Sequence, residues 1–90
     1  MAAKTPDSIK TENLGSVNLV RAVFSDTNLD DADTWTSSMT GILDFWAQGK
    51  NNPTTQASTG IHISEASGVF TVYPGEDNWT GTIFILRKGI

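Results

Sequence analysis

The chain contains no cysteine and only one histidine, His62. The first absence excludes disulfides and thiolate metal sites, and the second excludes multi-histidine zinc sites. Cationic side chains are few. Lys4, Lys10, Arg21, Lys50, Arg87 and Lys88 face ten acidic residues, for a net charge of −4. Such a balance offers no basic patch, so nucleic acid is not an expected partner. No apolar run approaches the roughly 20 residues that span a bilayer as a helix. The opening "MAAKTPDSIK" has no apolar core and does not read as a signal peptide.

What remains is a chain of 90 residues, enough for one small domain. Thr, Ser, Asn and Gly are abundant. Short β-branched and aromatic blocks are cut by Gly, Asn, Asp and Pro, which predicts an all-β fold. Residues 1–7 read as a flexible N-terminal tail and 8–90 as a single β domain. The expected architecture is a small β-sandwich or partly open barrel of about 6–7 antiparallel strands.

"SIKTENL" (8–14) alternates weakly, as an edge strand would. "VNLVRAVFS" (17–25) is apolar on both faces: Val17, Leu19 and Val23 on one, Val20, Ala22 and Phe24 on the other. "TIFILRK" (82–88) shows the same pattern. Both are expected as central strands, or as strands whose second face meets a partner. Residues 37–50 carry two readings. Met39, Ile42, Leu43 and Trp46 match helical spacing, while Thr40, Gly41 and the all-β context favour a strand over 42–47. "KNNPTTQASTG" (50–60) reads as a long loop. "GIHISEA" (60–66) and "VFTVY" (69–73) form an expected hairpin around Ser67–Gly68. "PGEDNWTG" (74–81) reads as a second turn.

Candidate chemistry is sparse. In "DTNLDDADTW", Asp26, Asn28 and Asp30 occupy the first, third and fifth positions of a calcium loop. Asp31 stands where that loop needs Gly, and Ser37 where it needs Glu. The preferred reading is therefore a solvated acidic loop, with calcium at Asp26, Asn28 and Asp30 as the alternative. His62 lies in an alternating strand, without a nucleophile elbow, and reads as a surface side chain. Glu76 and Asp77 read as a solvated turn. No enzyme activity, cofactor or metal is expected. Phe24, Phe70 and Phe84 are expected in the core. Trp79, Trp46 and Tyr73 are the interface candidates, with Trp79 expected in an exposed turn or packed over one end of the domain.

From "DTWTSSMTGILDFWAQ" through "GIHISEASGVFTVYPGEDNWTGTIFILRKG", the chain resembles small virion proteins of tailed bacteriophages. The resemblance covers about residues 17–90. It rests on Asp33–Thr34–Trp35 after an acidic loop, a Ser67–Gly68–Val69–Phe70–Thr71 hairpin, Thr80–Gly81–Thr82, and a short tail with Gly89. The acidic "NLDDAD" departs from the pattern, where a Gly-Asp pair is more usual. The resemblance implies a non-enzymatic capsid decoration or capsid-associated protein in the virion, with virion proteins as partners and a homo-oligomeric state. It brings no catalytic residue. A carbohydrate-binding or adhesion module, using Trp79 and a calcium-loaded acidic loop, is the alternative.

Overall fold

The structure, a computed structural model, describes residues 2–49, 62–74 and 78–89. The expected loop at 50–60, Ile61 and the Glu76–Asp77 pair lie outside these. Seven strands run β1 Ser8–Asn13, β2 Val17–Leu29, β3 Asp33–Thr36, β4 Ile42–Gly49, β5 His62–Ala66, β6 Val69–Tyr73 and β7 Trp79–Lys88. They form a four-stranded sheet in the order β1-β2-β7-β4 and a three-stranded sheet in the order β3-β6-β5. All strand pairs are antiparallel.

The two chain segments that are apolar on both faces, β2 and β7, take the two central positions of the larger sheet. Their inner residues Val20, Ala22, Phe24, Ile83 and Ile85 meet Trp35, Phe70 and Val72 of the smaller sheet in one core. Phe70 joins three elements. Its ring stacks on Trp35, with centroids 5.4 Å apart, and receives the edge of Phe45 from β4 at 5.4 Å. Segment 42–49 is a strand because register with β7 puts Phe45 and Ala47 inward and Asp44, Trp46 and Gln48 outward. An alternation of this kind overrides the helical spacing of Met39, Ile42 and Trp46.

The β5–β6 hairpin turns on Ser67 (φ 52°) and Gly68 (φ 86°). Positive φ at both central residues is the two-residue turn whose twist matches that of the strands it joins. The β3–β4 loop packs so closely there that a methyl on Gly68 would sit 3.1 Å from the Met39 carbonyl.

The acidic stretch and the N-terminal segment differ from the sequence expectation. The acidic stretch is not a solvated loop. Asp26–Leu29 continues β2, only Asp30–Ala32 turns, and Asp33 is 1% exposed at the start of β3. Its Oδ1 accepts the Ala2 amide at 2.8 Å, and its Oδ2 accepts the Asp30 amide at 2.7 Å and lies 3.1 Å from the Lys4 ammonium. Burial pushes the Asp33 carboxyl up. The amides of Asp30 and Ala2 and the Lys4 ammonium outweigh it and hold the group below the usual carboxylate range.

The segment expected as a tail lies along the fold. Ala3 bridges Thr34 in parallel, at the edge of β3, and the Lys4 ammonium also donates to the Asn28 carbonyl at 2.7 Å. Asp7 then supports β2 where its register with β7 shifts between Phe24 and Leu29. One carboxylate oxygen accepts the amides of Ser25, Asp26 and Thr27 at 2.7, 2.8 and 2.9 Å. The Thr27 amide and hydroxyl lead in lowering the Asp7 pKa from 3.8 to about 2, with the Asp26 and Ser25 amides adding and slight burial opposing.

Candidate interaction surface

Strand registers place residues of the larger sheet in rows across its outer face. One row reads Lys10, Arg21, Phe84, Trp46 from β1 to β4. Beside it runs Glu12, Leu19, Leu86, Asp44, and on its other side Ser8, Val23, Thr82, Gln48. The smaller sheet packs only on the opposite, inner face. The outer face therefore keeps an apolar centre of Leu19, Val23, Phe84 and Leu86, completed by Trp46.

Trp46 is 43% exposed, large for a tryptophan in a regular strand. Its ring lies flat on Phe84, with centroids 5.3 Å apart and planes 11° from parallel. The stack fixes an otherwise mobile exposed side chain, so a partner would meet a rigid aromatic plate. Arg21 reaches Glu12 with Nη2–Oε1 at 3.3 Å, the two side chains being 41% and 54% exposed. Exposed pairs of this type contribute ~0–1 kcal/mol and do not anchor the fold. The Arg21 Nε is buried and makes no hydrogen bond. The face also holds Lys10 and Lys88, so three of the five described lysine and arginine residues lie on it, against Glu12 and Asp44.

The other expected site residues fall elsewhere. Trp79 is not exposed. It opens β7 at 3% exposure, opposite Leu29, within the core. Its ring occupies the space a side chain at Gly81 would need, with Cζ2 2.6 Å from an added methyl. The polar neighbours Asn78 and Thr80 disguise a core position, because alternation has already begun at 79. Tyr73 is 40% exposed on the smaller sheet, beside His62 at 5.5 Å between ring centroids, and does not join Trp46. Phe84, expected in the core with Phe24 and Phe70, lies on the outer face instead.

Asp26 and Asn28 alternate along the exposed end of β2. Asp30 Oδ1 accepts the Asn78 amide at 2.9 Å, and Asn28 donates to the Asn78 side chain at 3.4 Å. The acid there anchors the chain entering β7. Among the described residues, no three His, Cys, Asp or Glu side chains group as metal ligands would.

An open depression of about 390 Å³ lies between the β3–β4 loop and the β5–β6 turn, lined by Ser38, Met39, Thr40, Ile42, Glu65 and Ser67. Glu65 Oε2 there accepts the Gly68 amide at 2.8 Å, so its carboxylate holds the turn. Among the described lining residues, the serines have no histidine beside them.

Among the described residues the molecule is a two-sheet, seven-stranded antiparallel β domain whose larger sheet has no second sheet on its apolar outer face. Comparison with protein-family models, with curated proteins and with solved structures returned no match.

Proposed function

We propose that the chain is a non-enzymatic structural subunit of a tailed-bacteriophage virion, a capsid decoration or other capsid-associated protein that works through protein–protein contacts. The observation that carries the reading is the outer face of the β1-β2-β7-β4 sheet. A domain of 90 residues buries only about two-thirds of its unfolded surface and gains stability by closing such a face in an assembly. An aromatic plate flanked by cations suits contact with a protein surface. The resemblance of residues 17–90 to small virion proteins supplies the class. The carbohydrate-binding alternative loses its main support, since Trp79 lies in the core and Asp30 anchors Asn78.

The test is co-sedimentation of the purified protein with phage capsids, together with mass spectrometry of purified virions from a phage that encodes it. The expected result is saturable binding at a fixed copy number per capsid. Absence from virions, together with no binding to capsids, refutes the proposal.

A further inference from the structure

We propose that a second copy of this chain closes the outer face, stacked sheet to sheet about a twofold axis parallel to the strands and lying between β2 and β7. The inference deepens the preceding reading by naming the partner of that face. Self-association is read on purified protein and capsid attachment on virions, so either can fail alone.

The argument comes from the central row. Lys10 and Arg21 occupy one half of it, Phe84 and Trp46 the other. A twofold axis along the strands reverses the strand order of the facing sheet, so β1 lies over β4 of the other copy and β2 over β7. Arg21 then meets Phe84 and Lys10 meets Trp46, each pairing occurring twice. Trp46 and Phe84 lie face to face, which leaves each ring one further face; cations beside such a face attract, most of all when water is excluded, and Arg also stacks on a ring. The same operation places Leu19 over Leu86. An axis perpendicular to the strands through this row would lay Lys10 on Lys10 and Arg21 on Arg21, which is repulsive, and one midway to the Glu12 row would lay Phe84 on Leu86 and Trp46 on Asp44, leaving no cation on a ring. The residue order thus selects one axis and makes the face complementary to itself, as a twofold interface requires. The one like-charge meeting, Glu12 with Asp44, falls at the rim, where solvent screens it and Arg21 lies 3.3 Å from Glu12.

Size agrees. Four strands about 4.8 Å apart and some seven residues long give a face on the order of 400–500 Å² in projection. With side-chain relief this reaches the small end of specific interfaces, about 600 Å² per partner. A dimer of micromolar affinity is therefore expected, not an obligate one.

Sedimentation velocity over a series from roughly 1 µM to 1 mM tests the proposal. The expected result is a reversible monomer–dimer equilibrium, weakened by at least about 10-fold in the Lys10→Glu/Arg21→Glu variant. A monomer throughout, or a dimer indifferent to that variant while its circular dichroism is unchanged, overturns it. A second measurement does not depend on that variant folding. Because the chain has no cysteine, Ser8→Cys and Gln48→Cys proteins each carry a single thiol. The axis lays residue 8 of one copy over residue 48 of the other. A short bismaleimide should join the two variants when mixed and leave each alone uncoupled. Coupling of either variant to itself, or no coupling in the mixture, refutes the axis.

Discussion

Replacing Asp33 by Ala tests whether the buried carboxylate holds the N-terminal segment to the sheets. The substitution removes the acceptor of the Ala2 and Asp30 amides and the counter-charge of Lys4. A buried donor left without an acceptor costs about 1–3 kcal/mol. Asp30 is half-buried and should incur that cost. Ala2 is exposed, and the Lys4 side chain is 26% exposed, so both recover water in part. The expected loss is about 2–3 kcal/mol at pH 7, or roughly 10–20 °C in Tm for a domain of this size. Asp33→Asn keeps the shape and one acceptor oxygen and should lose less. Chemical denaturation followed by circular dichroism measures both. The pH dependence adds a sign. A carboxyl held below its unfolded pKa stabilises fully above the unfolded value of about 3.9, and that contribution fades as pH falls through the folded pKa. The gap between wild type and Asp33→Ala should therefore shrink on acidification below about pH 4. A loss under about 0.5 kcal/mol at pH 7, or a gap that grows in acid, would refute the reasoning.

Other substitutions probe independent features. Asp7→Asn should speed hydrogen exchange at Ser25, Asp26 and Thr27 and remove a stabilising contribution that is full above about pH 4 and fades as pH falls toward about 2, the folded pKa of Asp7; unchanged protection of those amides would contradict its role. Gly81→Ala drives a methyl into the Gln48 carbonyl and to 2.6 Å from Trp79 Cζ2, so a loss of at least about 2 kcal/mol in urea titration is expected, and near-neutrality would show that the strand spacing relaxes freely. Ser67→Asn creates Asn-Gly in a turn with positive φ at both positions, and Tm should rise by a few degrees, about 0.5–1 kcal/mol; a fall would mean Ser67 has a role beyond its backbone.

How much of this was legible beforehand follows from which signals are local. Two-faced apolarity at 17–25 and 82–88 identified the central strands, whose neighbours on both sides shelter the outer side chains in part: Val17, Leu19, Val23, Phe84 and Leu86 are half-buried. Ser67–Gly68 announced its turn by chemistry alone. Asp33 could not be read. An acid in an acidic, Asn-containing run looks solvated, and its partners, Ala2 and Lys4, come from 29–31 positions earlier. Asp7 was hidden for the same reason, since its three amide donors lie 18–20 residues away. Trp79 stayed open between an exposed turn and packing over one end of the domain, because its polar neighbours hide that the strand has begun. The cation–aromatic row is invisible in sequence order altogether. It arises from the registers of separate strand pairs, and Phe84 looks like a core residue until β4 places Trp46 against it.

The pairing of β2 with β7 joins residues 50 to 71 apart, from Leu29–Trp79 to Val17–Lys88. The larger sheet thus has no complete middle until position 88 has been synthesised and left the ribosome. A nascent chain carrying β2 without β7 exposes an apolar strand with one open side, at risk of pairing with neighbouring chains. Such long-range closure puts folding on the slow side of what small domains reach, toward milliseconds to seconds. Yield on overexpression should accordingly respond to synthesis rate and temperature more than native stability would suggest.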